Sequence, residues 1–272
     1  MSKIGAPPNL IPRGATARKQ SILTLLRSEG FCSTLGLASK FNVSEMTIRR
    51  DILDLEQEGL VRRVHGGATA INNGSIIPTD FRERTHLNFD RKSALAHEAI
   101  KHVARGDILA LDAGSTVFEI CRFLDSNLNL TVITHSLPAL NELAANGHIK
   151  VYAIGGELHN PTQSFSSLDS ANILSEFRFT TFFLSAGSIR DGSVYCATPY
   201  EAVMKKAMIE SAEKVILVSD STKFTSNAMV KVCDLSRIDT LITDNFISDS
   251  LVTEIRTNSR VNVIKAEPLA TY

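Results

Sequence analysis

The residues best suited to chemistry fall into two groups. In the C-terminal two-thirds, small clusters rich in hydroxyls and glycine recur: Asp112-Ala113-Gly114-Ser115-Thr116, Thr134-His135-Ser136, Gly155-Gly156-Glu157 and Ser185-Ala186-Gly187. Each follows a short apolar run. Glycine lets backbone amides approach an anion and hydroxyls at a helix start donate to it, so the first cluster suits a phosphate or a carboxylate. Downstream, Glu201 and Lys205 stand one helical turn apart, and Asp220-Ser221-Thr222-Lys223-Phe224 follows another apolar run. Lys205 and Lys223 supply counter-charge for a phosphate, while Glu157 and Glu201 supply acceptors for sugar hydroxyls. Asp112 repels an anion and is better suited to accepting a sugar hydroxyl or bracing its loop. Two plainer readings stand beside these. Glu201 and Lys205 also fit a surface ion pair at i,i+4, and His135 also fits a hydrogen-bonded structural histidine.

The first seventy residues carry different chemistry. They hold ten Lys/Arg against six Asp/Glu, an excess of four positive charges that the rest of the chain cancels. Such a distribution suits a basic module joined to a non-basic one. Ser44 is a good N-cap, and the amides after it can hold a backbone phosphate. Thr47 and Arg50 point outward early in the helix that follows, where base edges are reached, with Arg49 on its flank. Arg62 and Arg63 suit phosphates, and His65 suits the adjacent groove. As charges alone, the four arginines describe a solvated face equally well, so the elements around them must decide.

Those elements occur in a telling order. Arg18–Glu29 reads as a helix with Ile22, Leu25 and Leu26 on one side and Gly30 as its C-cap. A shorter helix from about Ser33 to Phe41 and a turn at Asn42-Val43 lead into a third helix, capped by Ser44 and ended by Gly59. Ile48, Ile52 and Leu55 share one face of that helix. The strand-like Leu60–Val64 and the pair Gly66-Gly67 then make a small hairpin wing. Together these describe a winged helix-turn-helix over 17–71, after an arm at 1–16. Residues 72–90 are polar and turn-rich and read as a linker. From 91 to 272, helical and strand segments alternate, with strands at Ile108–Leu111, Thr131–Thr134, Lys150–Ile154, Thr181–Ser185, Val215–Val218, Thr240–Thr243 and Asn262–Ile264. This alternation predicts a Rossmann-like α/β domain with a parallel sheet, whose ligands bind at the carboxyl ends of the strands.

Composition sets outer bounds. At 272 residues, 43% hydrophobic and 21% charged, the chain suits two ordinary globular domains and neither a disordered nor a fibrous protein. No apolar run has membrane-spanning length, and the N-terminus lacks the apolar core of a signal peptide, so the cytoplasm is the expected location. Cys32, Cys121, Cys196 and Cys233 form no C-x-x-C pair. Buried thiols are expected, without disulfide, metal site or cofactor.

The run Val43–Asp51, then Leu55-Glu56, Gly59-Leu60 and Arg63–Ala68, resembles the signature of the DeoR family of bacterial sugar-metabolism regulators. Asp112–Thr116, Gly155–Glu157, Glu201-Ala202, Lys205 and Asp220–Phe224 resemble that family's effector domain, related in fold to sugar-phosphate isomerases. The departures are Gly36 in the second helix, His135 where the family often has Asn, and Ser167 where it has Gly. The resemblance implies a repressor of a carbohydrate or nucleoside catabolic operon. It also implies double-stranded operator DNA and a small phosphorylated sugar as partners, a deoxyribose phosphate among the candidates, and a homo-oligomer, dimer or tetramer. The alternative is a sugar-phosphate isomerase carrying a nucleic-acid module, with Glu157, Glu201 and Lys205 as base and enediolate stabiliser. A complete winged helix is unnecessary for isomerisation, which favours the regulator.

Overall fold

The computed structural model describes residues 14–29, 31–58, 60–64, 66–70, 80–145, 147–167 and 169–269. The chain divides into two units, Met1–Ser75 and Ile76–Tyr272.

In the first unit the helical period buries one face of each helix. The elements are α1 (Ala15–Glu29), β1 (Phe31–Ser33), α2 (Thr34–Phe41), α3 (Glu45–Gln57), β2 (Val61–Val64) and β3 (Gly67–Ala70). Ile22, Leu26, Leu37, Phe41, Ile48, Ile52, Leu55 and Val61 form its core, each large side chain contributing about 1.5–3 kcal/mol by leaving water. Ser33 caps α2 by accepting from the Gly36 amide, and Ser44 caps α3 by accepting from the Thr47 amide. Asn42, in the left-handed region at φ 52°, turns the chain between them. β3 lies between β1 and β2 and runs antiparallel to both. Strand β1 departs from the sequence expectation of a bare helix–helix junction. Its three residues pair with Thr69, Ala68 and Gly67, and so anchor the wing to the helices. The caps expected at Gly30 and Gly59 lie outside the described residues.

The second unit comprises α4 (Phe81–His86), α5 (Phe89–Ile100), β4 (Ile108–Leu111), α6 (Ser115–Cys121), β5 (Thr131–Thr134), α7 (Leu137–Ala145), β6 (Lys150–Ala153), β7 (Glu157–His159), β8 (Ser164–Ser166), α8 (Ser170–Ser175), β9 (Thr181–Leu184), β10 (Ser188–Arg190), β11 (Ser193–Cys196), α9 (Pro199–Glu210), β12 (Val215–Val218), β13 (Val230–Asp234), β14 (Thr240–Asp244), α10 (Asp249–Ser259) and β15 (Asn262–Ala266). Seven strands form a fully parallel sheet in the order β15-β14-β12-β9-β4-β5-β6. Helices cover both faces, so the central strands are apolar throughout: Phe182 and Leu184 enter one core and Phe183 the other. The chain winds outward from β4 through β5 and β6, then returns to β9 and winds the other way. The gap between the ends of β4 and β9 is therefore the topological switch point, where open sheets of this kind bind ligands.

Two features depart from pure alternation. β10, β11 and β13 make a separate antiparallel sheet, and β7 and β8 form a hairpin. The β10–β11 turn is Asp191-Gly192, both at positive φ (48° and 68°), the backbone that a two-residue hairpin turn matched to strand twist demands. The later part of the stretch read as a linker, 72–90, is helical and packs on the second unit. Asp80 caps α4 by accepting from the Arg82 amide at 2.8 Å, and Phe81 packs edge-on against Phe118 with centroids 5.7 Å apart. Residues 80–90 thus belong to the second unit, and 71–79 lie outside the described residues. No helix among the described residues is long and apolar enough to cross a membrane. All four cysteines are free thiols, three buried and Cys233 half-buried.

Candidate DNA interface and effector site

The outward side of α3 carries Arg50 and, beside it, Arg49, both exposed. Arg49 lies 3.7 Å from Glu45 across one turn, an exposed pair of little energetic consequence. The Ser44 and Thr47 hydroxyls meet at 2.9 Å, so both serve the cap. Arg62 is exposed on β2. Arg63 is exposed yet engaged: its amide donates to Glu56 Oε1 at 3.0 Å and its guanidinium to Oε2. These bonds from Arg63 hold the Glu56 carboxyl below the usual carboxylate range. Arg63 therefore ties the wing to α3, and a phosphate must share it with Glu56. The Thr34 amide and hydroxyl both donate to the Gly66 carbonyl, at 2.8 and 3.0 Å, fixing the wing turn against the start of α2. His65 lies outside the described residues.

At the switch point a buried polar cluster links three strand ends. Asp112 follows β4, His135 follows β5, and Ser185 follows β9. Asp112 Oδ2 accepts from the Ser185 amide at 2.9 Å, from the Ser185 hydroxyl, and from Lys205 Nζ. Lys205 Nζ donates also to the Ser185 carbonyl at 3.1 Å. Asp112 Oδ1 has no hydrogen-bond partner, and His135 Nε2 stands 3.9 Å from it. Glycine is required at 114 because a Cβ there would meet Ser185 Oγ at 2.2 Å. Only a bare backbone lets the β4–α6 turn come so close to β9. Ser115 and Thr116 open α6 and are buried. Beside His135 lies a small, open cleft walled by α9 and its cap (Thr198, Tyr200, Glu201) and by the β7–β8 hairpin (His159, Thr162, Ser164). The hairpin is pinned there by the Phe165 amide donating to the His135 carbonyl at 2.8 Å.

Two family models match the chain: a DeoR-like helix-turn-helix domain over residues 18–73 and a DeoR C terminal sensor domain over 87–245. The chain belongs to the DeoR family. It is 30% identical over 241 residues to the putative aga operon transcriptional repressor of Escherichia coli O157:H7, covering 88% of this chain and 90% of that one. It is 31% identical over 230 residues to the glycerol-3-phosphate regulon repressor of Escherichia coli K12, covering 84% and 90%. The lactose phosphotransferase system repressor of Staphylococcus epidermidis is 30% identical over 231 residues, covering 84% and 91%. Among solved structures, ribose 5-phosphate isomerase A of Methanocaldococcus jannaschii matches half of the chain at 21% identity and a TM-score of 0.37, a likeness too slight to bear on chemistry.

In this DeoR-family sensor domain, Glu201 and Lys205 do not form the surface ion pair that their spacing allows. Lys205 turns inward to Asp112, and Glu201 Oε1 is buried without a partner. Burial opposes both charges of the Asp112–Lys205 pair. Their mutual attraction, joined by the Ser185 hydrogen bond to Asp112 and the pull of Glu201 on Lys205, outweighs it, holding the carboxyl below and the ammonium above their ordinary ranges. Burial, aided by Lys205 and opposed by Asp112, lowers His135 to about 4, so its ring is neutral at pH 7. The expected contributors Gly155, Gly156 and Glu157 are exposed. Gly156 backs onto the Ser166 carbonyl, and the cleft wall comes from later residues of the same hairpin.

Three charged side chains of the second unit escaped the sequence reading because they lie in the supposed linker and first helices. Arg84 on α4 stacks over Phe81, its Cζ 5.8 Å from the ring centroid, and its buried Nε and Nη2 have no partner. Burial lowers its pKa against the attraction of Glu201 and Asp112. Lys92 on α5 donates to the Arg84 carbonyl. Burial brings Lys92 down to about 7, opposed by Asp220 and reinforced by Lys223 and Arg84. Glu119 on α6 is buried, bonded to Arg122 at 3.3 Å, and raised by desolvation. The capping pattern Asp80-x-x-Glu83 signalled α4, but no local pattern places its arginine at the switch point.

Proposed function

We propose that the chain represses a carbohydrate or nucleoside catabolic operon by binding operator DNA as a homo-oligomer, and that a phosphorylated sugar bound at the switch point controls it. The observation that carries this reading is the polar cluster between β4 and β9. Buried polar groups are nearly always bonded, yet Arg84, Asp112, His135 and Glu201 all hold buried nitrogen or oxygen atoms without partners. A sugar phosphate matches such a set: hydroxyls donate to Asp112 Oδ1 and Glu201, and the phosphate draws on Lys92, Lys223 and Arg84. Gly114, Ser115 and Thr116 follow Asp112 directly at the start of α6. Asp112 keeps its loop and Lys205 in place and is not itself an anion ligand.

DNA contact falls to the exposed Arg49, Arg50 and Arg62, the amides after Ser44, Thr47, the partly engaged Arg63, and His65. Two-fold operators match paired helix-turn-helix modules, which favours an even-numbered homo-oligomer in the cytoplasm. The 17–71 module and the unit from about residue 80 onward divide the two tasks.

The test uses full-length protein and a duplex selected from random sequence. Titrating a panel of sugar phosphates, polyols and free sugars while following DNA binding should identify at least one phosphorylated sugar that shifts the affinity. Lys223→Met and Lys92→Met should lose that response and keep effector-free DNA binding. A fully responsive Lys223→Met would place the effector elsewhere, and conversion of the sugar phosphate to an isomer would instead support the enzyme.

A further inference from the structure

Met46 is the most exposed large hydrophobic side chain among the described residues, at 74%. A lone exposed apolar side chain is ordinary; its position on α3 is what sets this one apart. Ile48, Ile52 and Leu55 turn into the core. With a period of 3.6 residues, the side directly opposite carries Met46, Arg50, Leu53 and Gln57 in one row. Arg50 and Gln57 are exposed, and Leu53 is 37% exposed. Met46 is the second residue of α3, just after the Ser44 cap that fixes where the helix begins. In the helix-turn-helix arrangement, the first turns of this helix reach base edges.

A methionine in the major groove has one kind of apolar partner. Guanine, adenine and cytosine present hydrogen-bonding edges there, and thymine alone adds a methyl group. The thioether is unbranched and adapts to the groove, and Arg50, one turn along the same row, supplies the polar contact beside it.

We propose that Met46 is a specificity-determining residue that packs on the 5-methyl group of a thymine adjacent to the base pair contacted by Arg50. The inference rests on the chain's reading as a sequence-specific DNA-binding regulator. Each half-site of the operator accordingly contains a thymine whose methyl group is part of the recognition signal.

The test begins with duplexes selected by the full-length protein from a random pool. Each thymine of the selected site is then replaced in turn by deoxyuridine, which pairs identically and lacks only the methyl. One thymine per half-site should be sensitive, the loss being about fourfold, the worth of one buried methyl group. Met46→Ala and Met46→Gln should bind the thymine and uracil duplexes within about twofold of each other at that position, with unchanged thermal unfolding and unchanged salt dependence. The proposal is overturned if no thymine is sensitive, or if Met46→Ala keeps the wild-type sensitivity. It is also overturned if the variants alter self-association and not methyl discrimination, which would make Met46 a contact between copies. If the full-length protein enriches no sequence at all, the DNA-binding reading fails first and the inference with it.

Discussion

Two buried aspartates, one in each unit, show how differently the two halves use charge. In the DNA-binding unit, Asp51 on α3 is gripped by Arg18 on α1: Nε donates to one oxygen at 2.6 Å and Nη2 to the other at 3.1 Å. Both oxygens are used, and the pair locks the first helix onto the third. In the sensor unit, Asp112 receives three donors on one oxygen and none on the other. The ten buried side-chain atoms without partners, counted among the described residues, all lie in the second unit. A closed network makes a scaffold, whereas the unused acceptors and donors around Asp112 are what the proposed effector site rests on.

Removing the cationic partner from each aspartate sharpens the contrast. Lys205→Met leaves Asp112 charged in a dry interior and should cost about 3–5 kcal/mol of sensor stability. The double variant Asp112→Asn with Lys205→Met should recover part of that loss. Urea unfolding followed in the second unit checks both, and an unchanged midpoint in the single variant would mean that the pair is not buried as described.

A pH effect of about 3 kcal/mol belongs to the same unit. His135 titrates near 4 when folded and at the ordinary 6.5 when unfolded. As pH falls through 6.5 the unfolded chain takes up a proton and the folded chain does not, so stability is lost between about 6.5 and 4. His135→Gln should flatten that slope. A variant that keeps the wild-type pH profile would assign the effect to another group.

The smallest effect is in the first unit. Arg18→Met should cost about 1.5–3 kcal/mol, because the Arg18 side chain stays 15% exposed and water tempers the loss. Operator affinity should fall only as far as folding does. A loss of DNA binding with full stability would turn Arg18 from a brace into a contact.

Much of this organisation was legible from residue order. The strands Ile108–Leu111, Thr131–Thr134 and Val215–Val218 stand where their apolar runs predict, because strands buried on both faces must be apolar throughout. Ser44 caps α3 as its residue type requires. The Asp191-Gly192 hairpin carried an available signal, two turn residues between short β-prone runs, obscured by the surrounding α/β alternation. Asp112 and His135 stand at strand ends as the apolar runs before them predict, and Lys205 converges on them. What local pattern could not supply was long-range pairing. That Lys205 turns to Asp112 and not to Glu201, and that Arg84 feels Glu201 and Asp112 while Lys92 holds its carbonyl, depends on how α4, α5 and α9 pack against the sheet. Arg63 shows the same limit in the wing, where Glu56, seven residues earlier, claims it.

The claim that one chain couples a DNA reader to a sugar-phosphate sensor is tested most directly by measuring the coupling from both ends. Once a responsive phosphorylated sugar is identified, its affinity is measured with and without saturating operator duplex, and operator affinity with and without saturating sugar phosphate. Coupling between two sites is reciprocal, so the two ratios must agree, and 5- to 150-fold is the ordinary range. Lys92→Met should bring both ratios toward one. Tight binding of both ligands with both ratios equal to one in the wild-type protein would contradict the coupling, leaving a DNA-binding module and a sugar-binding module that share a chain and nothing else.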